Sequence, residues 1–397
     1  MSKLKRIENV LLFLTLLFLP TQLGKHFWPE FSFIYSLPVD YLAPTIYFWD
    51  LLVVSLVTVW ILRRPKINWL AFNLLMIFLL IQAVSLVGTV NIGAGLVRLE
   101  QYTLAGLFGI YLASSKLKTN NLPYFPLMLA VLFESVLAIA QFLKGGTLGL
   151  WILGERTFSI STPAIAKFDF QGIQFLRPYA TFPHPNVLAA FMLVVSLLIG
   201  KRMVGFLAGL TTLLTFSRAA ILAGAVAAFV LLNRKGRVVL MVVIIILSPI
   251  LYTRFSSVFN FDNLAILRRE ELTQTAFKMF LSSPIFGVGL NNFIPKASDQ
   301  LLVGPSRFLQ PVHNIILLSL SETGIVGLAA FLSLIGYPIY RLLKLNLKPY
   351  PLSPLLLAWG IIIFLGMFDH YFLTLPQGYR LLFLVWGLSL SMLEWKK

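Results

Sequence analysis

Residues 311–328 read PVHNIILLSLSETGIVGL. The stretch opens on Pro311, His313 and Asn314, then becomes an apolar helix whose one charge is Glu322. An apolar helix of this kind, entered from a long polar segment, is the pattern of a membrane crossing. A histidine at its mouth is placed for chemistry on a substrate outside the cytoplasm. The alternative is a His-Asn pair that merely caps the helix. Glu322 follows His313 by about two and a half turns on a regular helix and so faces away from it.

Outward from this stretch the pattern repeats. Of 397 residues 58% are hydrophobic and 12% charged, where soluble domains carry about 25% charged residues. Apolar runs of roughly 17–25 residues suit helices that cross a bilayer, and solid runs exclude the alternating strands of a membrane barrel. The expectation is an all-α, polytopic integral membrane protein with about twelve transmembrane helices. They begin at Asn9–Gly24, Pro44–Leu62, Asn68–Val87, Gly95–Ser114 and Leu122–Leu143. Next come Asn186–Gly200, Met203–Phe216, Ala219–Leu232, Val238–Tyr252, His313–Tyr340, Leu355–Phe368 and Tyr379–Leu393. Two larger extracytoplasmic segments, 144–185 and 253–312, interrupt a single membrane domain spanning 1–397.

The net charge of +17 does not point to nucleic acid, because its distribution is topological. Basic clusters recur between the runs: Lys3, Lys5 and Arg6; Arg63, Arg64 and Lys66; Lys116 and Lys118; Lys201 and Arg202. They continue with Arg234, Lys235 and Arg237; Arg341, Lys344 and Lys348; and Lys396 and Lys397. Twelve crossings put all of these inside, with both termini cytoplasmic, as the positive-inside rule expects. The remaining basic residues are the informative ones, since topology does not want them outside. The chain has no cysteine, which excludes disulfides, thiolate metal sites and thiol nucleophiles.

Several of those remaining residues carry chemistry. Arg218 in TFSRAA lies between two short apolar runs, where an unpaired charge is penalised by a few kcal/mol. It either snorkels to the surface or binds an anion, and its fixed fork of donors suits phosphate oxygens. Arg177 begins RPYATFPHPN, in which Pro178, Pro183 and Pro185 prevent regular helix. His184 and Asn186 lie where the next helix begins, with backbone donors that also favour an anion. A structural turn explains the prolines but not Arg177 and His184 beside them. Asp369 stands next to His370 and before Arg380; it either orients a base or, as the more ordinary role, pairs with Arg380. Arg98 and Glu100 read as a local solvated pair. The run from Arg268 to Leu281 is amphipathic, and Gly287 and Gly289 after it mark a tight turn. HExxH, acidic metal clusters and GxSxG are absent from the sequence, so no metal and no serine esterase chemistry are expected.

Arg177, His184, Arg218 and His313 would thus meet on one membrane face, a group suited to a lipid-linked pyrophosphate. Arginines would neutralise the departing diphosphate, and a neutral His313 would take a proton from an attacking sugar hydroxyl.

The motifs RPYATFPHPNVLAAF (177–191), TFSRAAILAG (215–224), PIFGVGLNNF (284–293) and HNIILLSLSETGIVGL (313–328) occur in that order. With DHYFLTLPQGYRLLFLVWGL (369–388) they resemble the O-antigen ligase and O-antigen polymerase superfamily over about residues 177–387. The resemblance implies a GT-C-like glycosyltransferase that takes glycan from undecaprenyl diphosphate on the outer face of the inner (cytoplasmic) membrane. It implies Arg218 as the pyrophosphate-binding arginine and His313 as the base, with Arg177 as the arginine before HPN. One departure is Ala180, where members often have glycine. The acceptor is a glycan, a glycolipid such as the lipopolysaccharide core, or a protein. His184 and Arg177 then bind pyrophosphate, and Asn186, Asn314, Asp369 and Arg380 support. The chain would act inverting and metal-independent, without cofactor, and contact membrane lipid but no nucleic acid. A transporter or flippase of a lipid-linked glycan, and a non-catalytic scaffold of polysaccharide assembly, are the alternatives.

Overall fold

An apolar run in lipid must satisfy its own backbone donors and acceptors, and the helix does so within one segment. The computed structural model, which describes residues 3–115, 124–256, 264–304, 307–345 and 353–393, is accordingly mostly helical. The first half holds α1 (Lys3–Leu17), α2 (Phe48–Leu62), α3 (Trp69–Val84), α4 (Ile92–Ser114) and α5 (Tyr124–Lys144). Then follow α6 (Pro185–Ile199), α7 (Arg202–Leu214), α8 (Arg218–Leu231), α9 (Arg234–Ile246) and α10 (Ser248–Ser256). The remainder is α11 (Leu264–Ser282), α12 (Phe293–Ala297), α13 (Ile315–Leu345), α14 (Pro354–Gly366), α15 (Tyr371–Thr374) and α16 (Pro376–Leu393). Asn68, Asn91 and Ser353 cap α3, α4 and α14 by accepting from the backbone N–H three residues on.

Among the described residues two helices, Tyr124–Lys144 and Ile315–Lys344, are long and apolar enough to cross a membrane. A third span exists if α9 and α10 form one, and α2, α3, α6, α7, α8 and α14 are shorter apolar helices. The chain is a membrane protein. The expected helix Val238–Tyr252 is in fact the α9–α10 pair, bent by 64°, because Pro249 has no N–H to continue the ladder. Of the basic clusters, Lys116, Lys118, Lys348, Lys396 and Lys397 lie outside the described residues, as do residues 257–263, 305 and 306 of the segment 253–312.

The all-helical expectation needs a small amendment. Among the described residues three antiparallel two-stranded sheets stand in the connecting segments: β1 (Gly24–His26) with β4 (Thr45–Tyr47), β2 (Phe33–Ile34) with β3 (Leu37–Pro38), and β5 (Lys167–Phe170) with β6 (Ile173–Leu176).

The core is centred on α16, which packs against α4, α6, α13 and α14. Its Trp386 is fully buried and donates to the Leu334 carbonyl at 3.0 Å. Gly387 meets Gly109 of α4 so closely that a Cβ on Gly387 would lie 2.4 Å from the Gly109 carbonyl oxygen; small residues let helices approach in this way.

The opening stretch 311–328 is not one regular helix. Gly324 interrupts α13 at φ 65° and ψ −168°. The turn 284–289 inserts its backbone there, through Val288 N–H to the Ser321 carbonyl (3.0 Å), Gly289 N–H to Glu322 (2.7 Å) and Ile325 N–H to Pro284 (2.9 Å). A Cβ on Gly324 would lie 2.2 Å from the Ile285 carbonyl oxygen. The glycine turn and the SETG stretch, separate motifs in the sequence, are therefore one joint.

Candidate active site

The last carbonyls of a helix lack intrahelical donors and must find others. At the end of α7 two arginines supply them. Arg177 donates from Nε to the Thr215 carbonyl at 2.6 Å, and Arg254 from Nε to the Phe216 carbonyl at 2.7 Å. Phe216 stacks on Phe168 of β5 with centroids 4.2 Å apart, so the hairpin docks on this elbow. Arg218 then opens α8.

The proline-rich stretch is held from behind. Gln141 accepts from the N–H of Tyr179 (3.0 Å) and Ala180 (2.7 Å) and donates to the Ala180 carbonyl at 3.1 Å. Glu134 takes the Thr181 N–H and hydroxyl at 3.0 and 2.6 Å. Ala180 has φ +50°, a left-handed conformation that glycine enters more freely; the Gln141 bonds hold alanine in it. His184 caps α6, its Nδ1 accepting from Asn186 N–H at 3.1 Å, which places the neutral ring's proton on Nε2. Asn186 in turn accepts from Arg177 at 2.8 Å and donates to Asp369 at 3.0 Å.

Opposite stands a trio of imidazoles around Asp369. The His313 and His370 rings meet edge to face at 5.0 Å, and Phe308 lies parallel to His313 at 6.2 Å. His313 Nδ1 is buried with no hydrogen-bond partner among the described residues. His370 Nδ1 lies 2.6 Å from the Thr374 hydroxyl, and its Nε2 lies 4.0 Å from Asp369. Burial, with Arg269 nearby and against the pull of Asp369, pushes the His313 imidazole down to about 4. Burial likewise takes His184 and His370 to about 3. All three rings are neutral at pH 7. Burial alone would raise Asp369, but His313, His370, His184 and the Asn186 hydrogen bond outweigh it and hold the carboxyl well below its usual range. Burial, reinforced by Arg254, lowers Arg177 to about 9, which leaves it cationic.

One cavity of about 1490 Å³ joins these groups. Arg177, Arg218, Arg254, Arg268 and Arg269 line it together with His184, Asn186, His313, Asp369 and His370. An apolar edge from Ala219, Leu222, Phe364 and Phe368 continues it. Of the residues singled out in the sequence, Arg177, His184, Asn186, Arg218, His313 and Asp369 thus share one space. Arg254, Arg268 and Arg269 of the segment 253–312 join them on the cavity wall; the sequence signal for all three is that they are basic residues outside the cytoplasmic clusters.

Other expectations need correction. Arg380 does not pair with Asp369. It is fully buried, donates to the Thr21 carbonyl at 2.8 Å, lies 3.6 Å from Asp50, and stacks on Tyr47 and Trp49. Arg98 is no solvated partner of Glu100: it is buried and donates to the Thr374 carbonyl at 2.6 Å while Glu100 is exposed, since positions two apart on a helix face different ways. Asn314 is the cap of α13, accepting from Ile316 and Leu317 N–H at 2.9 and 3.0 Å, and does not line the cavity. Glu322 needs no such correction: it faces away from His313, accepts from Phe293 N–H at 3.1 Å and does not line the cavity.

A metal was not expected, yet His313, Asp369 and His370 each offer a donor atom within 4.8 Å of the others. Two imidazoles and a carboxylate are a donor set that zinc or iron accepts. His313 could not hold a metal through its free nitrogen and also serve as base there.

Fold and cavity define a helical membrane protein with a cationic, histidine-lined chamber. Residues 203–332 match the family model described as O-Antigen ligase, and this match supports an O-antigen ligase/polymerase-like family. That stretch contains Arg218 and His313. The family implies a glycosyltransferase-like enzyme with a glycan-transfer role in polysaccharide assembly, acting on lipid-linked glycan and an acceptor. No curated protein matches the chain.

Proposed function

We propose that the chain is an inverting, metal-independent glycosyltransferase. It moves a glycan from undecaprenyl diphosphate to a sugar hydroxyl on the extracytoplasmic face of the inner membrane. Twelve crossings, cytoplasmic termini and outer segments 144–185 and 253–312 belong to this reading. So does an acceptor that is a glycan, a glycolipid or a protein.

The acceptor hydroxyl attacks the anomeric carbon from the side opposite the diphosphate and gives its proton to neutral His313. The bond from that carbon to the diphosphate oxygen breaks, and undecaprenyl diphosphate leaves with the electron pair. Arg218 and Arg177, with His184 donating from Nε2, stabilise the charge that grows on it; such preorganised donors are usually the largest contribution to catalysis. The apolar edge of Leu222, Phe364 and Phe368, of which Leu222 and Phe368 are exposed, suits a polyprenyl chain.

The observation that carries this reading is the shared cavity of Arg218 and His313. The test is transfer by purified protein from undecaprenyl-diphosphate-linked oligosaccharide to candidate acceptors in EDTA. Product and released undecaprenyl diphosphate should vanish in Arg218→Ala and His313→Ala; unchanged turnover in both would sink the assignment. Reporter fusions at residues 160 and 300 should report the outer side.

A further inference from the structure

The chamber does not end at its histidines. Contacts lead from Arg268 over the Phe308 ring (4.9 Å), to His313, to His370 and on to Tyr41, which meets His370 edge to face at 5.6 Å. The same cavity is also lined by Tyr41 and by Asp40, His26, Gln101 and Trp151. The turn that carries Trp151 is tied to the segment just before β1, because Gln22 donates to the Gly154 carbonyl at 3.1 Å.

This part carries fewer cations than the arginine end, with Arg98 and Arg156 as its basic residues. Asp40 is exposed on the wall and would repel a phosphate. Arg98, which also lines it, is committed to the Thr374 carbonyl at 2.6 Å. Gln101 Oε1 is buried with no donor among the described residues, and a buried acceptor left unmade costs about 1–3 kcal/mol. Trp151 is 68% exposed, leaving a large ring open to contact. A lone amide acceptor, a carboxylate and the open Trp151 ring, with the half-buried Tyr41 beside His370, match a neutral sugar ring, which offers many hydroxyl donors and one C–H face.

We infer that this part is a saccharide subsite, in which Trp151 and Tyr41 pack against the sugar face while Asp40 and Gln101 accept from its hydroxyls. The inference rests on the diphosphate lying at the arginine end. The sugar is carried either by the donor or by the acceptor, and the two sources give different readouts.

The full chain in nanodiscs is titrated with bare undecaprenyl diphosphate and with the lipid-linked oligosaccharide extracted from cells lacking this chain. For a donor-borne sugar, the wild type binds the glycosylated lipid about tenfold more tightly than the bare one, about 1.4 kcal/mol. Asp40→Asn, Gln101→Leu and Trp151→Ala then abolish that gain and leave bare-lipid affinity unchanged, which also shows that they are folded. For an acceptor-borne sugar, the gain is absent and the three variants raise the acceptor KM about tenfold with donor KM unchanged. Variants that move neither quantity overturn the subsite and leave Trp151 an interfacial anchor. Bare lipid that fails to bind the wild type, or binds Arg218→Ala equally well, removes the diphosphate reading and this inference with it.

Discussion

Arg177 and Asp369 are linked without touching: the Asn186 amide accepts from the guanidinium at 2.8 Å and donates to the carboxylate at 3.0 Å. A neutral spacer keeps the arginine's charge for a ligand and the carboxylate's for the imidazoles. Asn186→Asp would put a second carboxylate against Asp369 and neutralise Arg177. Affinity for undecaprenyl diphosphate should fall about tenfold or more, since opposite charge at this range shifts ionisation by one to three units. Equal affinity in calorimetry would show that Arg177 does not meet the ligand.

Arg218→Ala should lower kcat by about 10²–10³, the usual loss for one donor to a developing anion. Arg218→Lys should recover little, because a point charge does not reproduce the two-pronged geometry. Release of undecaprenyl diphosphate in single-turnover assays measures both.

His313→Ala should cost about 10²–10⁴ in kcat and leave donor binding intact. As burial lowers the ring to about 4, the acid limb of kcat/KM should fall well under the ordinary imidazole value of about 6.5. A rate flat between pH 6 and 8 is expected; a limb centred near 6.5 would place the base on another, solvated group.

The same depression ties stability to pH. His184, His313 and His370 bind protons more readily unfolded than folded. The unfolded chain therefore takes up more protons once pH drops under about 6.5, and the folded state loses ground from there down to about 3. Melting temperature in detergent should be level above pH 7 and decline through pH 6 to 4. Replacing His370 by Gln should shallow that decline.

Chelation probes the histidine–aspartate trio. Transfer in EDTA should equal transfer without it, and added zinc should inhibit by occupying His313, Asp369 and His370. Activity lost in EDTA and restored by zinc would make the trio a metal centre.

Hydropathy made the helices legible, because an apolar run of sufficient length has few alternatives in lipid. It also isolated Arg177, Arg218 and His313, whose cost in such surroundings stands out locally. Partnerships were not legible. Asn186 meets Asp369 across 183 positions and Arg380 reaches Thr21 across 359, and nothing in a run's composition says which face turns to which neighbour. Adjacent residues therefore misled: Asp369 and Arg380 look like a pair because they are near in sequence, yet one turns to α6 and the other to α2. The break at Gly324 was hidden for a related reason, since a glycine in an apolar stretch is common and the inserting backbone comes from residues 284–289.

That break carries a mechanical consequence. Three main-chain bonds stitch residues 284–289 into the middle of α13, so the roof holding Arg268 and Arg269 is clamped to the bundle. By contrast, α9 and α10 bury none of their residues, and α10 is held to the end of α7 through Arg254, which donates to the Phe216 carbonyl at 2.7 Å. Under the proposed function, a long isoprenoid would pass sideways along that thinly packed wall, beneath the clamped roof.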